Sequence, residues 1–126
     1  MKNQQLNILL ARATKYILKL SSKHREKFIS TLIEVQKIQK SNFTAQEKSR
    51  RIKIVLWNNQ SPRMKLVIGG FLGTIAGLIT LGTGGIGIAA AGGAIGIWGF
   101  LAGTAGGVFI SAIVQIFEKD VKKLKG

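Results

Sequence analysis

The chain has no cysteine, one proline, one histidine and only five acidic residues among 126. Without cysteine there is no disulfide, no thiolate nucleophile and no sulfur-ligated metal. His24 is the sole imidazole, and Glu26, two positions on, falls on a different helix face, so the two do not form an acid–base pair. The five acids are scattered, with none of the spacings that ligate a metal. The sequence therefore offers no catalytic, cofactor-binding or metal-binding residue, and the chain is not read as an enzyme. His24, at a charged helix start, reads as a surface residue.

The largest absence is charge. Residues 66–117, a block of 52, contain no Lys, Arg, Asp, Glu or His, and hold every glycine but Gly126. A chain of this size has too little polar surface to cover such a block easily. As one helix it would run roughly 78 Å, against a hydrocarbon core of about 30 Å. One crossing is too short for it and three are too many, so two crossings with a turn near 82–93 are expected. The early apolar run, 8–11, is too short for a signal peptide and has no cleavage site. The block is expected to insert as an internal hairpin.

What charge there is lies outside the block. Residues 1–65 carry 15 Lys/Arg and 3 acids, a balance of +12, and 118–126 carry 4 and 2, a balance of +2. Basic flanks on both sides of an even number of crossings put both termini on one face, the cytoplasmic one. They also suit anionic headgroups. Nucleic acid is not expected as a partner, because Tyr16, Phe28, Phe43 and Trp57 form no interleaved patch with the basic residues.

The stretch Gly82-Thr83-Gly84-Gly85-Ile86-Gly87 satisfies the dinucleotide pattern G-x-G-x-x-G. That fingerprint needs an acid about 20 residues on to hold the ribose. The first acid is Glu118, and too little chain follows to complete a nucleotide-binding sheet. No Lys follows these glycines before Lys119, so the phosphate-loop pattern fails as well. The stretch reads as a membrane turn, where glycine lets the backbone reverse.

Residues 1–58 read as a cytoplasmic basic region of about three short helices. In the first, 3–20, Leu6, Leu9, Leu10, Ala13, Ile17 and Leu20 repeat at helical spacing opposite Arg12, Lys15 and Lys19. This face suits a membrane surface or a neighbouring helix equally. Ser21-Ser22 caps a second helix, 23–40, with Phe28, Leu32 and Val35 along one face and Ile29 and Ile33 beside them. Thr44 and Glu47 form a capping box that opens a third, running through Ile52, Val55, Leu56 and Trp57. Residues 59–65 are the linker and interfacial start, with Ser61 as N-cap and Pro62 as first helical residue of the first crossing. Trp57, Arg63, Lys65, Lys119, Lys122 and Lys123 are the expected membrane-interface residues. The second crossing is long enough to need a tilt, a break at Gly92-Gly93 or Gly106-Gly107, or an end along the surface. A basic cytoplasmic tail, 118–126, follows.

The most specific pattern is the glycine spacing. Gly69, Gly73 and Gly77 step by four, and Gly92, Gly96, Gly99, Gly103 and Gly106 step by 4, 3, 4 and 3, each a single seam on a helix. In hydrocarbon, helices associate by close backbone approach, which glycine allows. The motif resembles the glycine zippers of membrane hairpin and channel-forming proteins. The resemblance spans roughly 69–107, and implies close packing without a particular activity. The expected fold is an all-α membrane protein, a two-helix glycine-zipper transmembrane hairpin with an amino-terminal basic amphipathic helical region. The eight glycines are its helix-packing and oligomerisation residues. Thr74, Thr80, Thr83, Thr104, Ser111 and Gln115 either line a narrow wet path or bond to carbonyls of their own helices.

Two functions follow as expectations. In one, the hairpins self-associate into a homo-oligomer that forms a pore or disrupts the membrane, as a toxin, holin-like protein or defence effector would. In the other, the hairpin is a passive anchor or scaffold, and the basic helices recruit a cytoplasmic protein partner through residues 1–58 or bind anionic lipid. Release of residues 71–126 as a bacteriocin-like peptide after Gly69-Gly70 is a third reading, weakened by a basic segment unlike a typical leader.

Overall fold

Local signals start three of the helices. The computed structural model describes residues 3–83 and 94–125, which form six α-helices, one π turn and no strand. Helix α1, Asn3–Leu18, ends two residues before Leu20. Ser21, in extended backbone, accepts the His24 amide at 3.2 Å and opens α2, Ser22–Gln39. Thr44 accepts the Glu47 amide at 3.1 Å and opens α3, Ala45–Lys53. Ser61 accepts the Met64 amide at 3.2 Å, and Pro62 is the first residue of α4, Pro62–Thr83. Each such hydroxyl satisfies an otherwise orphaned amide and stabilises its helix by about 1 kcal/mol.

The capping box at Thr44 forms only by half. The Glu47 carboxylate turns forward to Arg50 Nη2 at 2.5 Å and Arg51 Nε at 2.9 Å. Two guanidinium groups one turn on offer charge-assisted bonds stronger than a neutral backbone amide can. The hydrogen bond from Arg50 is the main reason the Glu47 carboxyl sits below its usual pKa. Helix α3 also stops short of Trp57. Residues Ile54–Asn58 widen into a π turn, closed by the Asn59 amide on the Ile54 carbonyl at 2.9 Å.

The amphipathic faces of the amino-terminal helices meet the uncharged block. Helix α1 lies on α4, while α2 lies on α6, Thr104–Lys125, and α3 on α5, Ala94–Ala102. Leu9, Ala13 and Ile17 of α1 and Phe28, Leu32 and Val35 of α2 share one core with Ile68, Phe71 and Ile75 of α4 and Phe109, Ile110 and Ile113 of α6. Phe71 is the hub. Its ring centroid lies 4.9 Å from that of Phe28, 6.2 Å from Phe109 and 6.4 Å from Tyr16. Full burial of each such side chain contributes about 1.5–3 kcal/mol. Buried residues from both sides of 59–65 belong to this one core.

One long-range and one local set of polar contacts tie α1 in place. The Tyr16 hydroxyl donates to the Val67 carbonyl at 2.6 Å. Arg25 donates to the Ile17, Leu18 and Leu20 carbonyls at 3.3, 3.0 and 3.1 Å, closing the carboxyl end of α1. Helix carbonyls left over at that end carry partial negative charge, which a guanidinium matches.

The second apolar helix breaks at Gly103, between α5 and α6, with a bend of 73°. The break expected at Gly106-Gly107 therefore lies earlier, and Gly92-Gly93 fall outside the described residues. The Gly103 amide is shared between the Gly99 and Phe100 carbonyls, both at 3.1 Å. Gly106 makes the bend possible. A Cβ there would overlap the Phe100 carbonyl oxygen and stand 2.6 Å from Leu101 Cα. Among the described residues no single helix is long and apolar enough to cross a membrane; Gly96–Ala102 and Thr104–Glu118 reach that length and apolar composition only when counted together across their 73° bend.

Candidate functional site

Each glycine of the two seams meets different surroundings. Gly69 faces the Trp57 ring at 3.7 Å, while among the described residues nothing lies within 4 Å of a Cβ placed on Gly73 or Gly77. Gly96 and Gly106 are buried, Gly99 faces open space, and Gly103 meets only carbonyls of its own helix at 3.5 and 3.6 Å. Gly92 lies outside the described residues. Among the described residues, no atom of Gly96, Gly99, Gly103 or Gly106 comes within 4 Å of a Cβ placed on Gly69, Gly73 or Gly77. Side chains from α1 and α2 fill the core together with those of α4 and α6, the Phe28 and Phe71 ring centroids lying 4.9 Å apart.

The outer edge of α4 stays open. Leu66, Gly70, Gly73 and Gly77 are all exposed, Leu66 at 79%, and steps of 4, 3 and 4 place them on one stripe. Gly70 is the exception in detail. The Tyr16 hydroxyl occupies the place a Cβ would take there, with Tyr16 Cζ at 3.1 Å. Burial against this backbone raises the Tyr16 pKa above its ordinary value.

The polar residues of the apolar block divide. Thr74 donates to the Gly70 carbonyl of its own helix at 2.9 Å, and the Ser111 hydroxyl accepts from Gln36 Nε2 at 3.0 Å. Thr104, Ser111 and Gln115 join Gln39 and Lys40 along an open groove of about 510 Å³ between the end of α2 and α6. Gln39 Nε2 donates to the Leu101 carbonyl at 2.7 Å, and its buried Oε1 has no hydrogen-bond partner among the described residues. Thr104, Ser111 and Gln115 line this lateral groove, and the side chains of Thr80 and Thr83 lie outside the described residues.

The expected interface residues cluster in part. Trp57, carried by the π turn, is half-buried against Gly69, and Lys65 Nζ lies 5.7 Å from its ring centroid. Arg63 is exposed in the first turn of α4. Lys119, Lys122 and Lys123 belong to the last turns of α6, and their side chains lie outside the described residues. Among the described residues no three His, Cys, Asp or Glu side chains come together as metal ligands would.

One grouping was not legible in the sequence. His24 is half-buried and lines a cavity of about 150 Å³ with Lys23, Lys27, Ser61, Arg63 and Met64. The two caps, Ser21 and Ser61, announce the two helix starts, but nothing linear brings those starts together. No family model, curated protein or solved structure matches the chain, so its function rests on its own residues.

Proposed function

We propose that this chain is a small integral membrane protein that self-associates through the glycine surfaces of its apolar block and forms a pore or disrupts the membrane. A toxin, holin-like protein or defence effector acts in this way. The observation that carries the reading is the open stripe Leu66, Gly73 and Gly77 within a block of 52 uncharged residues. Backbone-close packing between copies is what such a stripe favours in hydrocarbon. In this reading α1 and α2 cover the apolar sides of α4 and α6 until the block enters the bilayer. Straightening at Gly103 then joins α5 and α6 into one crossing. Residues 94–117 would run roughly 36 Å as one helix, enough to span about 30 Å of hydrocarbon. Both termini stay on the cytoplasmic face, with anionic headgroups around the basic flanks.

The 73° bend favours a second reading, an anchor whose second helix enters the membrane only part-way while the basic helices hold a partner. Inducible expression in bacteria with a membrane-potential dye separates the two. Gly73→Leu/Gly77→Leu places bulk in open space, so the packed fold tolerates it. Depolarisation by wild type and not by this variant, at equal membrane content, supports assembly through the stripe. Equal membrane content without depolarisation by either protein supports the anchor.

A further inference from the structure

The cavity between the first turns of α2 and α4 carries an unneutralised charge. Lys23, His24 and Lys27 reach it from α2, and Ser61 and Arg63 from the start of α4, over a floor that includes the buried Met64. No carboxylate lines it, and Lys23, Lys27 and Arg63 have no acidic partner among the described residues. The contrast with Arg50 and Arg51 is direct, since both of those are paired with Glu47. Three cations around one small cavity repel one another, and the positive ends of two helices add to the same field. An anion in the cavity relieves both.

From this geometry we infer a binding site for a phosphate monoester. A volume of about 150 Å³ leaves room for one phosphate group with its ester substituent outside. Lys23, Lys27 and Arg63 together offer three cations to a dianion, the guanidinium fork of Arg63 can grip two of its oxygens, and Ser61 brings a hydroxyl to the same rim. The phosphate belongs to a lipid headgroup or to a soluble ester. The lipid source rests on the membrane reading above, in which the first turn of α4 lies at headgroup level.

The test uses the purified full chain, with Lys27→Gln/Arg63→Gln against Lys40→Gln/Lys53→Gln, which removes the same charge from exposed positions elsewhere. Circular dichroism checks that both variants fold. One arm titrates glycerol 3-phosphate, followed by phosphorus NMR. The other floats protein with phosphatidylcholine vesicles containing phosphatidate or, at equal charge, phosphatidylglycerol. Loss of two charge-assisted contacts lowers affinity about tenfold or more in the cavity variant alone. Cavity-dependent binding confined to glycerol 3-phosphate supports the site with a soluble ester as its ligand. Cavity-dependent preference for phosphatidate supports the lipid source. If the two variants lose binding equally in both arms, the cavity is only part of a basic surface and the proposal is overturned. The membrane reading fails separately, when wild-type protein fractionates away from membranes while glycerol 3-phosphate binding persists.

Discussion

Alanine at Gly73 and at Gly106 will move stability in opposite directions, although the sequence places both in glycine seams. At Gly73 the new methyl meets open space, so the change only raises helix propensity, by about 1 kcal/mol. At Gly106 the methyl overlaps the Phe100 carbonyl oxygen and crowds Leu101 Cα at 2.6 Å. These are backbone atoms, which cannot swing aside as a side-chain tip can. A forced backbone shift costs up to about 3 kcal/mol, and the propensity gain of about 1 leaves a net loss of about 2. For a chain of this length 1 kcal/mol corresponds to about 4 °C. Thermal unfolding followed by circular dichroism, in one fixed solvent, should therefore place Gly73→Ala about 4 °C above wild type and Gly106→Ala about 8 °C below it. Equal gains for both would mean that α5 and α6 form a straight helix without the bend at Gly103. Equal losses would mean that both seams are closed packing surfaces in the folded chain, and that the open stripe does not exist.

Removing the Tyr16 hydroxyl in Tyr16→Phe should cost about 1 kcal/mol in urea unfolding, the usual net value of such a bond to the Val67 carbonyl; an unchanged midpoint would remove this contact from the fold. The same phenol predicts a pH dependence. Its folded pKa is raised above 10, so its contribution is complete below pH 10 and is lost as pH rises through the folded value. As the chain has a single tyrosine, ultraviolet absorbance follows that ionisation directly, and Tyr16→Phe should flatten the alkaline limb of the stability profile. Arg25→Ala should destabilise by about 1.5–3 kcal/mol, because three carbonyls lose a charged donor. Arg25→Lys should recover only part of this, since an ammonium cannot reproduce the planar fork; full recovery by lysine would show that charge alone closes α1.

Much of the helical layout was legible because its causes are local. Ser21, Thr44 and Ser61 with Pro62 mark helix starts through bonds that reach only three residues. The faces of α1 and α2 were legible for a similar reason, since Leu9, Ala13 and Ile17 and Phe28, Leu32 and Val35 repeat at the helical period. Glu47 shows the limit of such reasoning at short range: its carboxylate had two arginines to choose as well as the backbone, and the stronger donors won.

The sequence by itself determined that the chain is helical, that 52 consecutive residues carry no charge, and that basic flanks bound them. Only the tertiary structure decided that Phe71 joins α1, α2, α4 and α6 in one core, and that Gly103 is the bend while Gly106 makes room for it. It alone brought Lys23 and Lys27 beside Arg63. Periodicity and caps report what a residue does within one helix. Which helix lies opposite depends on the volumes and charges of residues tens of positions away, and that information appears only when the chain packs.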